Sequence, residues 1–189
     1  MTELRSERLD VGPFESFQRP PGQSLQSGLV AAATFRAVVG HSPTGVSVVT
    51  TRDSDGCHHG ITVSSYASLS LDPPLVLICI DRRSRIYRAL TATHSFAVNI
   101  LSADQELIAR QFASRVDDRF AGVAASPGKS GELLIVGALA YLECLLVDEF
   151  RGGDHSIFVG AVACAEAREG LPLLHFRGEY TAPVGPQRR

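Results

Sequence analysis

SPTGVSVVTTRDSDGCHHGITVSSYASLSLDPPLVL, residues 42–77, contains two predicted strands separated by a turn. The first strand is apolar and β-branched at Val46, Val48 and Val49 and continues into two threonines. The cluster Asp-Ser-Asp-Gly at 53–56 is typical of a chain reversal. The stretch therefore predicts a β-hairpin.

The second strand has two chemically different faces. Ile61 and Val63 alternate with Thr62 and Ser64, so the period of two places aliphatic groups on one face and hydroxyls on the other. We expect the aliphatic face to join the core.

Hydroxyl side chains continue beyond the predicted end of this strand. There, backbone N–H groups outside a ladder are free to meet a ligand. The segment Asp72-Pro73-Pro74 then predicts an extended chain, because a residue before proline avoids the helical region. The pattern indicates a candidate binding site, with an ordinary serine-rich loop as the alternative; the hydroxyls concerned are those of Ser65, Ser68 and Ser70.

Length and charge limit the possible classes of protein. A chain of 189 residues with 44% hydrophobic content predicts one domain with a substantial core. A net charge of −2 argues against nucleic acid as a partner. Because no apolar run approaches the length of a membrane span and the N-terminus does not resemble a signal peptide, we expect a cytoplasmic protein without membrane contact.

The four cysteines show no metal or disulfide pattern. They are widely spread, with no CxxC pair and no histidine at zinc-ligand spacing. Cys79 and Cys144 lie within apolar runs and are expected to be buried, whereas Cys57 falls in the predicted turn.

The remaining elements predict many strands with short helices between them. We expect an N-terminal arm at 1–27, one domain at 28–182 and a tail at 183–189. Strands that follow each other through tight turns favour an antiparallel sheet or barrel. Helices are predicted at 29–40, 85–92 (capped by Ser84) and 103–112, strands at 75–80, 95–101, 138–150, 156–167, 173–176 and 179–181, and a long loop at 121–137.

Two common nucleotide motifs are absent. Pro127-Gly128-Lys129-Ser130 resembles the end of a phosphate-binding loop, but Val123 stands where that loop needs glycine. No GxGxxG sequence is present, so a dinucleotide would not be held by a Rossmann unit. His58 and His59 are adjacent and point to opposite faces of a strand, which argues against a shared metal ion.

Five segments, read in order, resemble the NAD(P)H-dependent flavin reductases that serve two-component monooxygenases. The resemblance covers residues 35–180 and implies a mainly β, antiparallel split β-barrel of Greek-key type with several short helices. Members of this family are mostly homodimers. The segments are PTGVSVVTT (43–51), GITVSSYASLSLDPPLVLICI (60–80), SFAVNILS (95–102), DDRF (117–120) and GDHSIFVGAV (153–162).

The resemblance also implies a set of site residues. Residues 62–65 would meet the polar edge of the flavin ring, and residues 82–85 would hold its phosphate at the start of a helix, where anions are attracted. His155 would position the nicotinamide as the catalytic residue. The implied cofactor-binding residues are Thr44, Thr62, Val63, Ser64, Ser65, Ser68, Asp72, Pro73, Arg82, Ser84, Arg85, Arg119, Phe120 and Tyr180.

The implied activity is hydride transfer from NADH or NADPH to FMN or FAD, which supplies reduced flavin to a partner monooxygenase. Delivery by free diffusion of the flavin stays open. One alternative is a non-catalytic carrier or sensor that binds flavin or heme in the same fold. Another is an oxygenase or redox tailoring enzyme that retains its flavin.

Overall fold

The computed structural model describes residues 29–184, so the predicted arm at 1–27 and tail residues 185–189 lie outside the described residues. The described part forms three short helices and twelve strands, all of whose pairings are antiparallel. In chain order they are α1 (Ala32–Val39), β1 (Thr44–Gly45), β2 (Ser47–Arg52), β3 (His58–Val63), β4 (Ala67–Leu71), β5 (Pro74–Asp81), α2 (Arg85–Thr93), β6 (Ser95–Ile100), α3 (Glu106–Ala113), β7 (Ala125–Pro127), β8 (Leu133–Ile135), β9 (Ala140–Gly152), β10 (His155–Ala167), β11 (Leu174–Phe176) and β12 (Glu179–Thr181).

Seven strands form the main sheet in the order β3-β2-β6-β9-β10-β5-β4. The two predicted hairpins are confirmed, with Val49 opposite Ile61 in β2–β3 and Val162 opposite Cys144 in β9–β10. β1, β11 and β12 form a smaller sheet, and β7 pairs with β8. The predicted antiparallel architecture is therefore confirmed.

The main sheet must curl, because its two edge strands are consecutive in the chain. Only residues 64–66 join β3 to β4, and such a link spans at most about 14 Å. In a flat sheet, six gaps of about 4.8 Å would separate these edges by roughly 29 Å. Ser65 reinforces the junction, since its hydroxyl donates to the Cys79 carbonyl (2.9 Å) and accepts the Cys79 N–H (3.1 Å).

The concave side of the curled sheet holds the main core. Apolar side chains from β2, β3, β5, β6, β9 and β10 meet there. Helix α2 contributes Ile86, Ala89 and Leu90, whose spacing places them on one face, and its two larger side chains join this cluster. Helix α2 is therefore fixed by burial at one end of the core.

The opposite side of β2 and β3 is covered by α3 and β8. Val48 packs there with Phe112 of α3 and Ile135 of β8. Asn99 of β6 anchors β8, because its carbonyl oxygen accepts the Ile135 N–H at 2.8 Å. Thr50 likewise donates to the Leu133 carbonyl at 2.7 Å. The prediction of an unstructured loop over 121–137 is wrong, because its Gly, Ser and Pro content masks this buried apolar run.

Three local predictions need correction. Ser68 and Ser70 belong to edge strand β4 and not to a loop, since the alternation within Ala67–Leu71 is itself a strand pattern. Asp72 and Pro73 form a tight turn between β4 and β5 and not an extended stretch. Cys79 is partly exposed, whereas Cys144 is buried as predicted.

All four cysteines of the chain are free thiols. Among the described residues, no helix combines the length and the apolarity needed to cross a membrane.

Candidate functional site

A cleft of about 720 Å³ opens between three segments of the fold. The segments are residues 57–60 around the start of β3, residues 81 and 83–86 from the end of β5 to the first turn of α2, and residues 115–120 after α3. Four arginines and three aspartates line the cleft, so charged groups dominate its walls. Its volume lies within the range of about 300–1,000 Å³ that is usual for small-molecule sites.

Asp81 organises the corner between β5 and α2. Its carboxylate accepts two guanidinium hydrogen bonds from Arg83, at 3.1 and 2.9 Å, and the backbone N–H of Arg83 at 2.9 Å. These bonds lower the pKa of Asp81 from 3.8 to about 2. A carboxylate with a lowered pKa stabilises the fold above its unfolded pKa, so the contribution is present at neutral pH and lost as pH falls towards 2.

Ser84 occupies the N-cap position of α2 but does not cap the helix with its side chain. Its hydroxyl instead donates to the Asp81 carbonyl at 2.6 Å. The first amides of a helix generally have no intrahelical acceptor and carry the positive end of the helix dipole, although in α2 the Tyr87 N–H donates to the Ser84 carbonyl at 3.3 Å. The start of α2 can therefore receive an anion.

Arg85 reaches across the cleft from α2. Its Nη2 lies 3.3 Å from Oδ1 of Asp117, and the two side chains are 72% and 96% exposed. An ion pair this exposed contributes little to stability. The guanidinium of Arg85 is thus held over the cleft by a contact that a ligand can replace.

Arg119 and Phe120 form the opposite wall. Arg119 donates to the carbonyls of Gly60 and Ser114, so its guanidinium is directed at the main chain. Burial, and then the charge of Arg85, lower the pKa of Arg119. The ring of Phe120 packs edge-on against Phe112 with centroids 4.9 Å apart.

Two histidines line the start of β3 and point in different directions, as predicted. His58 lies edge-on to Phe120, with ring centroids 6.2 Å apart. Nε2 of His59 lies 2.8 Å from Oδ2 of Asp53 in the β2–β3 turn. Burial lowers the pKa of His58, and the bond from His59 lowers the pKa of Asp53.

His155 begins β10 directly beside the cleft. It is the cross-strand partner of Asp81, and the neighbouring Asp154 carbonyl accepts the Arg82 N–H at 3.1 Å. Nδ1 of His155 lies 2.7 Å from Oδ1 of Asp154, and the imidazole is 44% exposed. The ring is therefore oriented yet accessible, and this bond lowers the pKa of Asp154.

The predicted hydroxyl-bearing segment lies at the junction of β3, β4 and β5, outside the cleft lining. Thr62 donates to the Ala109 carbonyl beneath α3 at 2.7 Å, and the Ser65 hydroxyl is engaged by Cys79. Val63 is buried in the core. Ser64 and Ser68 are exposed. Strands β3 and β5 connect this segment to the cleft through Gly60 and Asp81.

The other predicted residues do not line the cleft. Asp72 and Pro73 lie in the β4–β5 turn, and Arg82 is exposed beside the cleft. Thr44 pairs with His175 in the small sheet, and Tyr180 packs under Arg110, 4.9 Å from the guanidinium carbon to the ring centroid. The structure thus brings together Ser84, Arg85, Arg119 and Phe120 in the cleft, with His155 adjacent.

Sequence reasoning did not assign a site role to several lining residues. Arg83 lies within the predicted phosphate segment 82–85, and its neighbour Asp81, the last residue of β5, was not assigned. The place of His58 in the cleft was not predictable from local sequence, since its proximity to Phe120 depends on a contact between residues far apart in the chain. The lining residues missed in this way are Cys57, His58, His59, Gly60, Asp81, Ile86, Arg115, Val116, Asp117 and Asp118.

Comparison with known proteins identifies the family. Residues 39–183 match the family described as Flavin reductase like domain. The chain belongs to this family. The resemblance to flavin reductases that the sequence indicated is therefore confirmed.

Individual members of the family are similar over most of their length. The flavin reductase (NADH) of Kitasatospora aureofaciens is 41% identical over 160 residues, 82% of this chain and 84% of the relative. The reductase subunit HsaB of a flavin-dependent monooxygenase from Rhodococcus jostii (strain RHA1) is 41% identical over 148 residues, 78% and 75% of the two chains.

A solved structure shares both the fold and much of the sequence. The NADH:FAD oxidoreductase of Streptomyces globisporus C-1027, in complex with NAD and FAD fragments, superimposes with a TM-score of 0.77 and 40% identity. The alignment covers 86% of this chain and all of that one. The split-barrel class predicted for the chain is confirmed by this likeness.

Gly60 provides a test of the packing behind the cleft. A Cβ at this position would lie 2.3 Å from the Phe112 ring and 3.3 Å from Phe120. We expect Gly60→Ala to lower the free energy of unfolding in urea by about 1–3 kcal/mol, as overpacking does. Gly45→Ala, where nothing lies within 4 Å, is the matched control and should change it by less than about 0.5 kcal/mol. Equal effects of the two substitutions would contradict this packing.

Proposed function

We propose that the protein is a nicotinamide-dependent flavin reductase that reduces FMN or FAD and supplies the reduced flavin to a monooxygenase. The observation that carries the proposal is family membership over residues 39–183, joined to an arginine-rich cleft at the start of a helix. The relatives named as an NADH-dependent flavin reductase and a monooxygenase reductase subunit support both halves of the activity.

The residues at the start of α2 fit a flavin phosphate. Arg85 is exposed over the cleft, and its carboxylate partner Asp117 is also exposed. Arg83 is fixed by Asp81, and the first-turn amides of α2 add donors for an anion. In the proposal, the phosphate replaces Asp117 as the partner of Arg85.

The junction of β3, β4 and β5 fits the polar edge of a flavin ring. Ser64 and Ser68 are exposed there and offer hydroxyls, whereas the hydroxyls of Thr62 and Ser65 hold the strands together. We assign Thr62 and Ser65 a supporting role and assign ring contact to Ser64, Ser68 and the local main chain. When bound, flavin supplies the acceptor for a hydride from nicotinamide.

His155 is proposed to position the nicotinamide. Its ring is held by Asp154, partly exposed, and directly across from Asp81 at the edge of the cleft. Hydride transfer depends on alignment more than on acid–base groups, so a positioning imidazole is sufficient. Water exclusion would come from the apolar side chains behind the cleft, Ile86 and Phe120.

The proposal includes a homodimer, because α1 has no partner within the described residues. Every residue of α1 is exposed, although an isolated helix of eight residues is marginal in water. A second copy that covers its apolar side would stabilise it. The exposed apolar residues are Leu29, Val30, Phe35, Val38 and Val39.

The proposal also includes a cytoplasmic location and a monooxygenase as the consumer of reduced flavin. Four free cysteines are consistent with a reducing compartment. Reduced flavin can pass to the oxygenase by contact or by diffusion.

The activity is tested by following NADH absorbance anaerobically after addition of FMN, FAD or neither. We expect rapid NADH consumption that requires added flavin. Flavin binding without NADH consumption would indicate the carrier alternative and contradict the proposal. Flavin retained stoichiometrically through purification would instead support an enzyme that keeps its flavin.

Removal of the His155 imidazole should mainly weaken use of the nicotinamide. We expect His155→Ala to raise the KM for NADH about tenfold, the effect of losing one hydrogen bond to a charged group. Flavin affinity should stay close to that of the wild type. His94→Asn, at the other end of α2, is the control. Unchanged steady-state kinetics for His155→Ala would remove this residue from the site.

The dimer is tested by light scattering coupled to size-exclusion chromatography. Val38→Asp places a charge on the apolar side of α1 and should convert dimers to monomers. Ala33→Asp lies on the opposite side of the helix and should leave the dimer intact. A wild-type protein that is monomeric at micromolar concentration would refute the proposed dimer.

A further inference from the structure

We propose that Arg119 is a positioning residue that holds residues 114–120 as a wall of the cleft, and that it does not bind the flavin phosphate. The flavin measurements below depend on the proposed function, whereas the protease measurement does not. This assignment replaces the direct flavin contact that the family resemblance implied for Arg119.

Three of the five N–H donors of Arg119 are directed at main-chain carbonyls. Nη1 donates to the Gly60 carbonyl at 2.7 Å. Nε and Nη2 both donate to the Ser114 carbonyl, at 3.1 and 2.7 Å. The edge formed by Nε and Nη2 is the one that usually binds a phosphate bidentately, so that edge is occupied. Arg119 is also only partly exposed.

These bonds close a short loop and attach it to the sheet. The bonds to Ser114 join the two ends of the segment, and the bond to Gly60 ties it to β3. Gln111 holds the same region from α3, because its side-chain amide donates to the carbonyls of Arg119 and Ala121 at 2.9 and 2.8 Å. Residues 115–118 between these anchors all line the cleft. Arg119 therefore sets the position of the wall.

Arg85 provides the contrast that makes the proposal testable. Its guanidinium is 72% exposed and is bonded to the exposed carboxylate of Asp117. A phosphate can replace that carboxylate without breaking any contact to the main chain. Loss of the Arg85 side chain should therefore remove a positive charge from the cleft. Loss of the Arg119 side chain should instead loosen residues 114–120.

Limited digestion with trypsin in the absence of flavin tests the wall directly. The bond after Arg115 lies within the segment that Arg119 closes. In Arg119→Ala, cleavage after Arg115, followed by mass spectrometry, should accelerate at least about tenfold, since more than one charge-assisted hydrogen bond is lost. In Arg85→Ala it should change less than about twofold, because an exposed ion pair contributes little.

The salt dependence of FMN binding separates the two arginines. Salt weakens FMN binding by screening the attraction between the phosphate and exposed cations. Removal of such a cation therefore makes the affinity for FMN depend less on salt concentration. We expect Arg85→Ala to bind FMN more weakly with a reduced salt dependence. Arg119→Ala should bind FMN at least about tenfold more weakly and retain the wild-type salt dependence.

The outcomes distinguish a positioning role of Arg119 from phosphate binding, and they test this inference separately from the proposed function. Unchanged cleavage after Arg115 in Arg119→Ala, or a salt dependence reduced as in Arg85→Ala, would overturn the positioning role. If wild type binds neither FMN nor FAD, the proposed function fails, whereas the digestion result still tests the role of Arg119. If Arg119→Ala does not fold, Arg119→Lys serves in its place, because an ammonium can keep one of the two carbonyl contacts and should give a smaller effect in the same direction.

Discussion

The three-residue link between β3 and β4 constrains the rest of the structure. These strands occupy opposite edges of a seven-stranded sheet, and residues 64–66 cannot bridge the edges of a flat sheet. The sheet therefore curls, and Ser65 fastens the junction by bonding both main-chain groups of Cys79. Burial of the concave face then fixes α2, since Ile86 and Leu90 belong to the same core.

This curvature explains why a cleft exists beside the junction. The end of β5 and the start of α2 come close to the start of β3, and the segment after α3 completes the opening. Side chains that support the fold around the cleft and side chains proposed to contact the flavin make different hydrogen bonds. Arg119, Thr62 and Ser65 direct their donors at main-chain carbonyls, whereas Arg85, Ser64 and Ser68 remain exposed. Support and proposed ligand contact are therefore carried by neighbouring but separate residues.

Local patterns in the sequence predicted the longer strands, the two hairpins and the helix that follows Ser84, because periodicity and turn residues act over short distances. The short strands β1, β4, β7 and β8 were missed. The resemblance to flavin reductases, carried by segments such as DDRF and GDHSIFVGAV, then identified the family. The hydrogen-bond partners of the Thr62 and Ser65 hydroxyls were not predictable from local sequence. The acceptor of Thr62 lies 47 positions along the chain, and the acceptor of Ser65 lies 14 positions along it. For the same reason, the role of Gly60 emerged only from its approach to Phe112.

Amide hydrogen exchange with and without saturating FMN tests the central claim most directly. The claim is that one flavin extends from the start of α2 to the junction of β3 and β4. The account predicts slower exchange in two segments together, residues 83–86 and residues 64–68. Protection by bound FMN that falls outside both segments would contradict the account.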